Sequence, residues 1–319
     1  MRVLITGING FVGGHLAEYL LSASDDEIWG LARSSEVRLP QLRQRVQMVA
    51  ADLLYRASTE AALRRVRPDV IFHLAAQAHV PTSFADPGTT LTSNLLAELH
   101  VLEGVRVIGC DPIILVVCTA DEYGAVRPED LPINEDTPLR PNNPYAVSKV
   151  AQDMLALQYY LAHHLRTVRV RPFNHTGPRQ EPEYVLPAFA RQVARIEAGL
   201  QPPVLAVGNL QAQRDFTDVR DMVRAYHLAI SNGQPGEVYN IGSGKALAIQ
   251  ALLDGLLALS HVPITVESDP ERMRPADVPV VCCDPRRFQR CTGWQPEIDV
   301  AQTVSDTLQD WRERVEQTL

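Results

Sequence analysis

Tyr145 and Lys149 stand four positions apart in Pro144-Tyr145-Ala146-Val147-Ser148-Lys149, at the head of a helical pattern. On a helix that spacing puts both side chains on one face, within mutual reach. A phenol with an ordinary pKa of about 10 is a poor acid or base at neutral pH, and a neighbouring ammonium favours its ionised form. Thr119 follows an apolar strand pattern, Ile113 to Cys118, and so offers a hydroxyl at the carboxyl edge of a sheet, where open α/β folds bind ligands. A hydroxyl, a tuned phenol and a cation together suit hydride transfer at a carbonyl or carbinol carbon.

Hydride transfer needs a carrier, and the start of the chain supplies a cradle for one. Gly7, Gly10 and Gly13 lie in Thr6-Gly7-Ile8-Asn9-Gly10-Phe11-Val12-Gly13, directly after a strand pattern and at the opening of a helix. The spacing is G-x-x-G-x-x-G. One glycine permits the turn, one lets backbone approach a pyrophosphate, and one allows close packing of helix on strand. Phe11 and Val12 belong to the same cofactor turn through their amides, which face the phosphates at the positive end of the helix. Their side chains, like that of Leu74, read as packing. The second strand pattern ends Leu31-Ala32-Arg33-Ser34-Ser35, with no acid where an NAD ribose is usually held. Arg33 and Ser34 can donate to a 2′-phosphate, so NADP(H) is favoured over NAD(H). Asp52 and Leu53, after the third strand pattern, are placed to border the adenine. Lys149 is then also in a position to hydrogen-bond the nicotinamide ribose.

The elements that must carry these residues alternate in type. Strand patterns at Val3–Thr6, Glu27–Ala32, Val46–Ala50, Val70–Ala75, Ile113–Cys118 and Thr167–Arg171 are separated by helical patterns such as Val12–Leu21 and Asn94–Val107. Strands that are apolar throughout, with helices between them, indicate a parallel sheet covered on both faces. The expected fold is α/β, a Rossmann doubly wound parallel sheet with a smaller, interleaved α/β substrate-binding lobe. Prolines become dense after Pro172, while Asp218–Ser231 reads as helix and Val238–Ile241 as a strand returning to the sheet. The cofactor domain is therefore expected at 1–172 plus about 212–242, and the substrate lobe at 173–211 plus about 243–319.

Composition narrows the partners. A formal charge of −8 over 319 residues argues against nucleic acid and anionic membranes, and no apolar run approaches a bilayer span. The first residues enter a strand pattern at once, so no targeting segment is expected and the chain reads as cytoplasmic. The five cysteines lack the paired spacing of a structural zinc site, so no metal is expected.

Taken together, Gly7/Gly10/Gly13, His73-Leu74-Ala75-Ala76, Asn94 and Tyr145/Lys149 resemble the extended short-chain dehydrogenases/reductases that act on nucleotide sugars. The resemblance implies that Leu74, Ala75 and Ala76 also line the cofactor. In the second half, Arg171-Pro172-Phe173-Asn174-His175-Thr176-Gly177-Pro178, Val207 to Leu210, Arg214 to Asp221 and Arg272 to Pro279 are similar to the GDP-sugar branch. That branch contains 4,6-dehydratases of GDP-mannose and reductases of its 4-keto-6-deoxy product. The likeness implies a GDP-sugar substrate, with Thr119, Asn174, Arg179, Val207, Arg214 and Arg274 as its contacts. Arginine suits a diphosphate because its planar fork bonds two oxygens at once. It also implies a homodimer through a four-helix bundle that includes the Tyr145/Lys149 helix.

Dehydratase and reductase differ in one required group. The dehydratases, by resemblance, carry a glutamate two residues after the threonine to move the C5 proton and the C6 water. Here that position is Asp121, one methylene shorter, with Glu122 next to it. Both are candidate accessory acid/base groups, and a shortfall of roughly 1 Å can cost about a hundredfold. A longer basic insertion after the second strand, expected of the dehydratases, is missing between Arg33 and Pro40. The expectation is thus NAD(P)H-dependent reduction of the C4 keto group of GDP-4-keto-6-deoxy-D-mannose to GDP-D-rhamnose. GDP-mannose 4,6-dehydration, or another nucleotide-sugar epimerase or dehydratase activity, is the alternative.

Overall fold

The computed structural model describes residues 1–272 and 278–319. Strand β1 (Arg2–Thr6) leads into α1 (Phe11–Ala23). Then follow β2 (Glu27–Ala32), β3 (Gln47–Ala50), α2 (Arg56–Val66), β4 (Val70–His73), α3 (Val80–Ala85), α4 (Pro87–Ile108), β5 (Ile113–Val117), α5 (Pro144–His163) and β6 (Arg166–Pro172). The second half contains β7 (Asn174–Thr176), α6 (Val185–Glu197), β8 (Val204–Val207), β9 (Gln213–Asp218), α7 (Val219–Asn232), β10 (Val238–Ile241) and β11 (Ala246–Ala248). It ends with α8 (Ile249–Leu259), β12 (Thr265–Ser268), β13 (Val280–Val281), α9 (Arg286–Thr292) and α10 (Val300–Glu316).

The main sheet has seven parallel strands in the order β10-β6-β5-β4-β1-β2-β3. Its central strand shows why the runs are apolar throughout. Val3 and Ile5 pack with α1 and α7 on one face, and Leu4 packs with α2, α4 and α5 on the other. Each fully buried leucine of this kind contributes about 2 kcal/mol. The chain reverses its direction of winding between β1 and β4, and the crevice at that switch point is where such sheets take nucleotides.

Two expected strands stop early, for reasons tied to the site. Beyond His73 the amides of Leu74 and Ala75 donate to Thr6 Oγ1, both at 3.1 Å, instead of continuing the ladder. Beyond Val117 the chain enters a one-turn 3₁₀ helix, Ala120–Tyr123, that Thr119 caps.

The smaller lobe consists of a four-stranded sheet, in which β9 pairs β11, β13 and β7, a β8–β12 pair, and helices α6, α8 and α10 around their own core. Two stretches cross the expected division. β9 belongs to the small sheet and Phe216 is buried in the second-lobe core, while α7, which follows it, packs on the main sheet. In the opposite sense, Phe288 and Trp294 pack with α7 and β10 in the core of the main sheet. Among the described residues no helix is long and apolar enough to cross a membrane. All five cysteines are free thiols.

Candidate active site

The glycine turn is shaped by backbone contact. Gly7 sits at φ +72°, and a Cβ on Gly13 would lie 2.3 Å from the Gly7 carbonyl oxygen. The first turn of α1 therefore lies directly on the loop. Gly10 caps α1 without any side-chain hydrogen bond. The Phe11 and Val12 amides at this end are therefore not taken by a side-chain cap. The side chains of Phe11 and Val12 pack at the edge of the core, and Phe11 stacks on His175 at 6.4 Å. Asn9 inside the turn donates to Glu36 O at 2.8 Å and accepts from Arg38 N at 3.0 Å, which fixes the loop after β2. On that loop Arg33 and Ser34 are exposed, and the Arg33 guanidinium has no ion pair or hydrogen bond among the described residues. Asp52 accepts from Leu54 N at 3.0 Å, while Leu53 is buried with its carbonyl on His100. Leu74 and Ala75 are half-buried and Ala76 is exposed, all at the β1/β4 switch point. A phosphate cradle, an available arginine and no acid at the end of β2 fit a dinucleotide with a 2′-phosphate.

Tyr145 and Lys149 lie in the first turns of α5, which Asn143 caps by accepting from Ala146 N at 2.8 Å. Both are buried. The Thr119 hydroxyl, which accepts from Asp121 N at 3.2 Å, lies near the Tyr145 phenol. Burial is the largest influence on the phenol and raises its pKa well above the ordinary value, with the carboxylate of Asp121 and the phenol of Tyr184 acting in the same direction. The Lys149 ammonium donates to the carbonyl of Val117 at 2.7 Å, and burial lowers its own pKa. Asn94 of α4 locks the assembly. It exchanges two hydrogen bonds with the Gln77 backbone, at 2.8 and 3.0 Å, and donates to Ser148 Oγ at 2.9 Å.

The two candidate accessory acids part company. Glu122 is fully buried and accepts from Thr119 N at 3.1 Å in a capping box. Its other oxygen is paired with Arg171 Nε at 3.2 Å. Arg171 also pairs with Asp153 of α5 at 2.6 Å, and Asp153 holds Arg169 as well. Glu122 is thus part of a buried charge network behind the site, which corrects its candidacy as a reacting group. Asp121 is the acid near Tyr145 and Tyr184.

Of the expected sugar-nucleotide contacts, Asn174 is exposed at the start of β7 and Arg214 is half-buried on β9 with its Nη1 donating to Gln213 O at 2.8 Å. Arg274 lies outside the described residues. Val207 is a correction: it is buried in the second-lobe core at the end of β8. Arg179 is another. Its guanidinium bonds both oxygens of Glu18 on α1, and its amide donates to Asp310 of α10 at 2.9 Å. A guanidinium held by a carboxylate in this way is not available to a phosphate.

Several site residues are not apparent from the sequence. Tyr184 precedes α6 and brings the second lobe near Tyr145, with its ring 6.3 Å from that of His79. From there α6 runs to a cleft of about 480 Å³ lined by Arg191, Gln192 and Arg195, together with Val204 and Ala206 of β8 and Arg272. Arg191 and Arg195 pair with no carboxylate among the described residues. The Arg191 and Arg195 spacing of four on an amphipathic helix is the one sequence signal that marks this face.

Comparison with known proteins agrees with this geometry. The chain is 38% identical over 314 residues to the GDP-6-deoxy-D-mannose reductase of Pseudomonas aeruginosa, covering 98% of each chain. It is 28% identical to a GDP-mannose 4,6-dehydratase of Vibrio cholerae, over 97% of this chain and 93% of that one. The solved structure of RMD from Pseudomonas aeruginosa complexed with NADPH superposes with a TM-score of 0.87 at 36% identity, covering 98% of this chain and 100% of that one. The family described as GDP-mannose 4,6 dehydratase matches residues 4–307, and the chain belongs to that family of short-chain dehydrogenase/reductase enzymes.

Proposed function

We propose that this chain reduces the C4 keto group of GDP-4-keto-6-deoxy-D-mannose to GDP-D-rhamnose with NADPH. The observation that carries the reading is the likeness to the Pseudomonas reductase, 38% identical over 98% of each chain, against 28% for the Vibrio dehydratase. Burial also holds the Tyr145 phenol protonated, the form that a reduction consumes.

The dinucleotide, when bound, supplies the hydride to C4. The chain's own residues do the rest. Thr119 hydrogen-bonds the C4 oxygen, Tyr145 gives it a proton, and Lys149 supplies positive charge beneath the phenolate that results. Gly7, Gly10 and Gly13 with the Phe11 and Val12 amides hold the pyrophosphate, and Arg33 with Ser34 holds the 2′-phosphate. Asp52, Leu53 and Leu74 to Ala76 line the remainder of the cofactor. The cleft along α6, with Arg191, Arg195 and Arg272, takes the GDP moiety, together with Asn174 and Arg214. Val147, Met154 and Leu161 recur every seven residues on α5 and are exposed, which supports dimerisation through that face. Five free thiols support a reducing, cytoplasmic setting.

The second reading, 4,6-dehydration of GDP-mannose, draws on the place of Asp121 beside Tyr145. A substrate panel separates the two. GDP-mannose and its 4-keto-6-deoxy derivative are each offered with NADPH and with NADH, and the cofactor and sugar are followed together. Consumption of NADPH on the keto sugar alone is the expected result. Formation of a 4-keto product from GDP-mannose with no net cofactor change overturns the reductase reading.

A further inference from the structure

An acid stands buried next to Thr119, and the reaction as described does not use it. Glu122, in the one-turn 3₁₀ helix after β5, is wholly closed to solvent. Burying a carboxyl costs stability unless its oxygens are partnered, so its partners show what the group holds. Its Oε1 accepts from Thr119 N at 3.1 Å, and its Oε2 lies 3.2 Å from Arg171 Nε on β6. The fork of Arg171 is fixed from two other sides. Nη1 donates to Tyr123 Oη at 2.9 Å, and Nη2 pairs with Asp153 of α5 at 2.6 Å. Asp153 in turn holds Arg169. The Cys118 sulfur and one carboxyl oxygen each of Glu122 and Asp153 lie within 4.8 Å of one another, and the cation that the two acids gather is the Arg171 guanidinium.

This network joins the two elements that carry the reacting groups. Tyr145 and Lys149 are on α5, and Thr119 stands at the end of β5. Lys149 Nζ donates to Val117 O at 2.7 Å, which fastens α5 to the strand two residues before Thr119. The second fastening runs from Asp153 through Arg171 and Glu122 to the Thr119 amide. It bears on the hydroxyl because the turn is a capping box, in which Thr119 Oγ1 accepts from Asp121 N at 3.2 Å while Glu122 holds Thr119 N. The bond from Asp121 takes a lone pair of the hydroxyl and not its proton, and the proton is what a substrate carbonyl oxygen can accept. The turn has backbone support of its own, since Glu122 O accepts from Arg140 N and Asp121 O from Gly124 N, both at 3.1 Å.

We propose that Glu122 is a positioning residue for Thr119, setting its hydroxyl against the reacting carbonyl through the Asp153–Arg171–Glu122 link to the helix of Tyr145 and Lys149. The proposal rests on the hydride-transfer reading of those three residues. Burial first, and Asp153 second, push the Glu122 carboxyl well above its ordinary pKa. A protonated carboxyl and a primary amide both keep a carbonyl oxygen for Thr119 N. The clamp therefore depends on that oxygen and its reach, not on a negative charge.

Glu122→Gln retains the oxygen, Glu122→Asp retracts it by one methylene, and Glu122→Leu removes it. With the keto sugar and NADPH, kcat is expected to fall about ten- to hundredfold in the Asp and Leu variants, the effect of misplacing a group by about 1 Å, and to stay within about threefold in Glu122→Gln. KM for both ligands should hold within about twofold, because the loss is in the reaction and not in binding. In a Thr119→Ala background Glu122→Asp should cost no more than about threefold further, since the residue acts through Thr119. Hydrogen exchange at the Thr119 amide, followed by NMR, reads the clamp without turnover: protection falls in the Asp and Leu variants and holds in Glu122→Gln. Should Glu122→Leu not fold, Glu122→Asp carries the same test. Equal kcat losses in all variants, a loss confined to KM, additive losses with Thr119→Ala, or equal protection of the Thr119 amide throughout overturns the proposal. An unaltered chain that shows the exchange pattern and consumes no NADPH refutes the reading of the site while leaving the Glu122–Thr119 clamp standing.

Discussion

Substitution of Gly13 by alanine tests the nucleotide turn most directly. An alanine Cβ at Gly13 would lie 2.3 Å from Gly7 O, 2.8 Å from Ile8 Cα and 3.0 Å from Gly7 C. All three are backbone atoms, so no rotamer change relieves them. Restoring ordinary contact requires α1 to move from the loop by about 1 Å, and displacements of that size cost about a hundredfold where geometry decides a reaction. Gly14→Ala is the control, because its Cβ meets Leu39 Cδ1 at a similar 2.5 Å, the free end of a flexible side chain. NADPH affinity is read by fluorescence titration and stability by urea unfolding. Gly13→Ala is expected to weaken NADPH at least tenfold, and Gly14→Ala less than threefold, at about 1 kcal/mol of repacking. Equal losses for the two variants would refute the view that backbone contact shapes the cradle.

Other consequences can be measured on the same protein. Asp153→Asn leaves the buried Arg169 without a carboxylate and Arg171 with Glu122 alone, and should lower unfolding free energy by about 3–5 kcal/mol in urea titrations. His15 is buried, and desolvation first and Arg179 second lower its pKa to about 4 from 6.5. Its neutral form then stabilises the fold above pH 6.5, and that contribution is lost as pH falls from 6.5 towards 4. Between pH 7 and 5 the loss is about 2 kcal/mol, and a His15→Gln variant should lack this part of the pH dependence. Met154→Glu places a charge on the exposed apolar face of α5, and sedimentation is expected to find the unaltered chain dimeric and the variant monomeric. Tyr145→Phe should reduce kcat by two to four orders of magnitude while NADPH binding persists, the range expected for removal of a general acid.

The first half of the chain was readable because its signals are local. Apolar runs on β1 to β6 are buried on both faces, and the glycine turn and the Tyr145/Lys149 pair are fixed by spacing along one element. What escaped notice depends on partners far apart in the chain. β9 has one large apolar residue, Phe216, and buries Asp215 by accepting from Ser243 N, Ser243 Oγ, Gly244 N and Cys283 N. Nothing near Asp215 in sequence announces those donors. By sequence Arg179 reads as a phosphate ligand, but Glu18, 161 positions away, holds its guanidinium. Glu122 and Asp121 are adjacent in sequence, yet a single 3₁₀ turn sends one into the charge network and leaves the other near the phenol.

Arg179 ties the two halves of the chain together at one helix. Helix α1 begins at the phosphate turn, and on its flank His15 donates to Pro178 O at 2.9 Å while Glu18 grips Arg179. The loop carrying Pro178 and Arg179 leads to Tyr184 and α6, the floor of the cleft. Through these contacts the flank of α1 is tied to the chain that leads into α6, so a shift of that chain is transmitted to the helix that begins at the glycine turn.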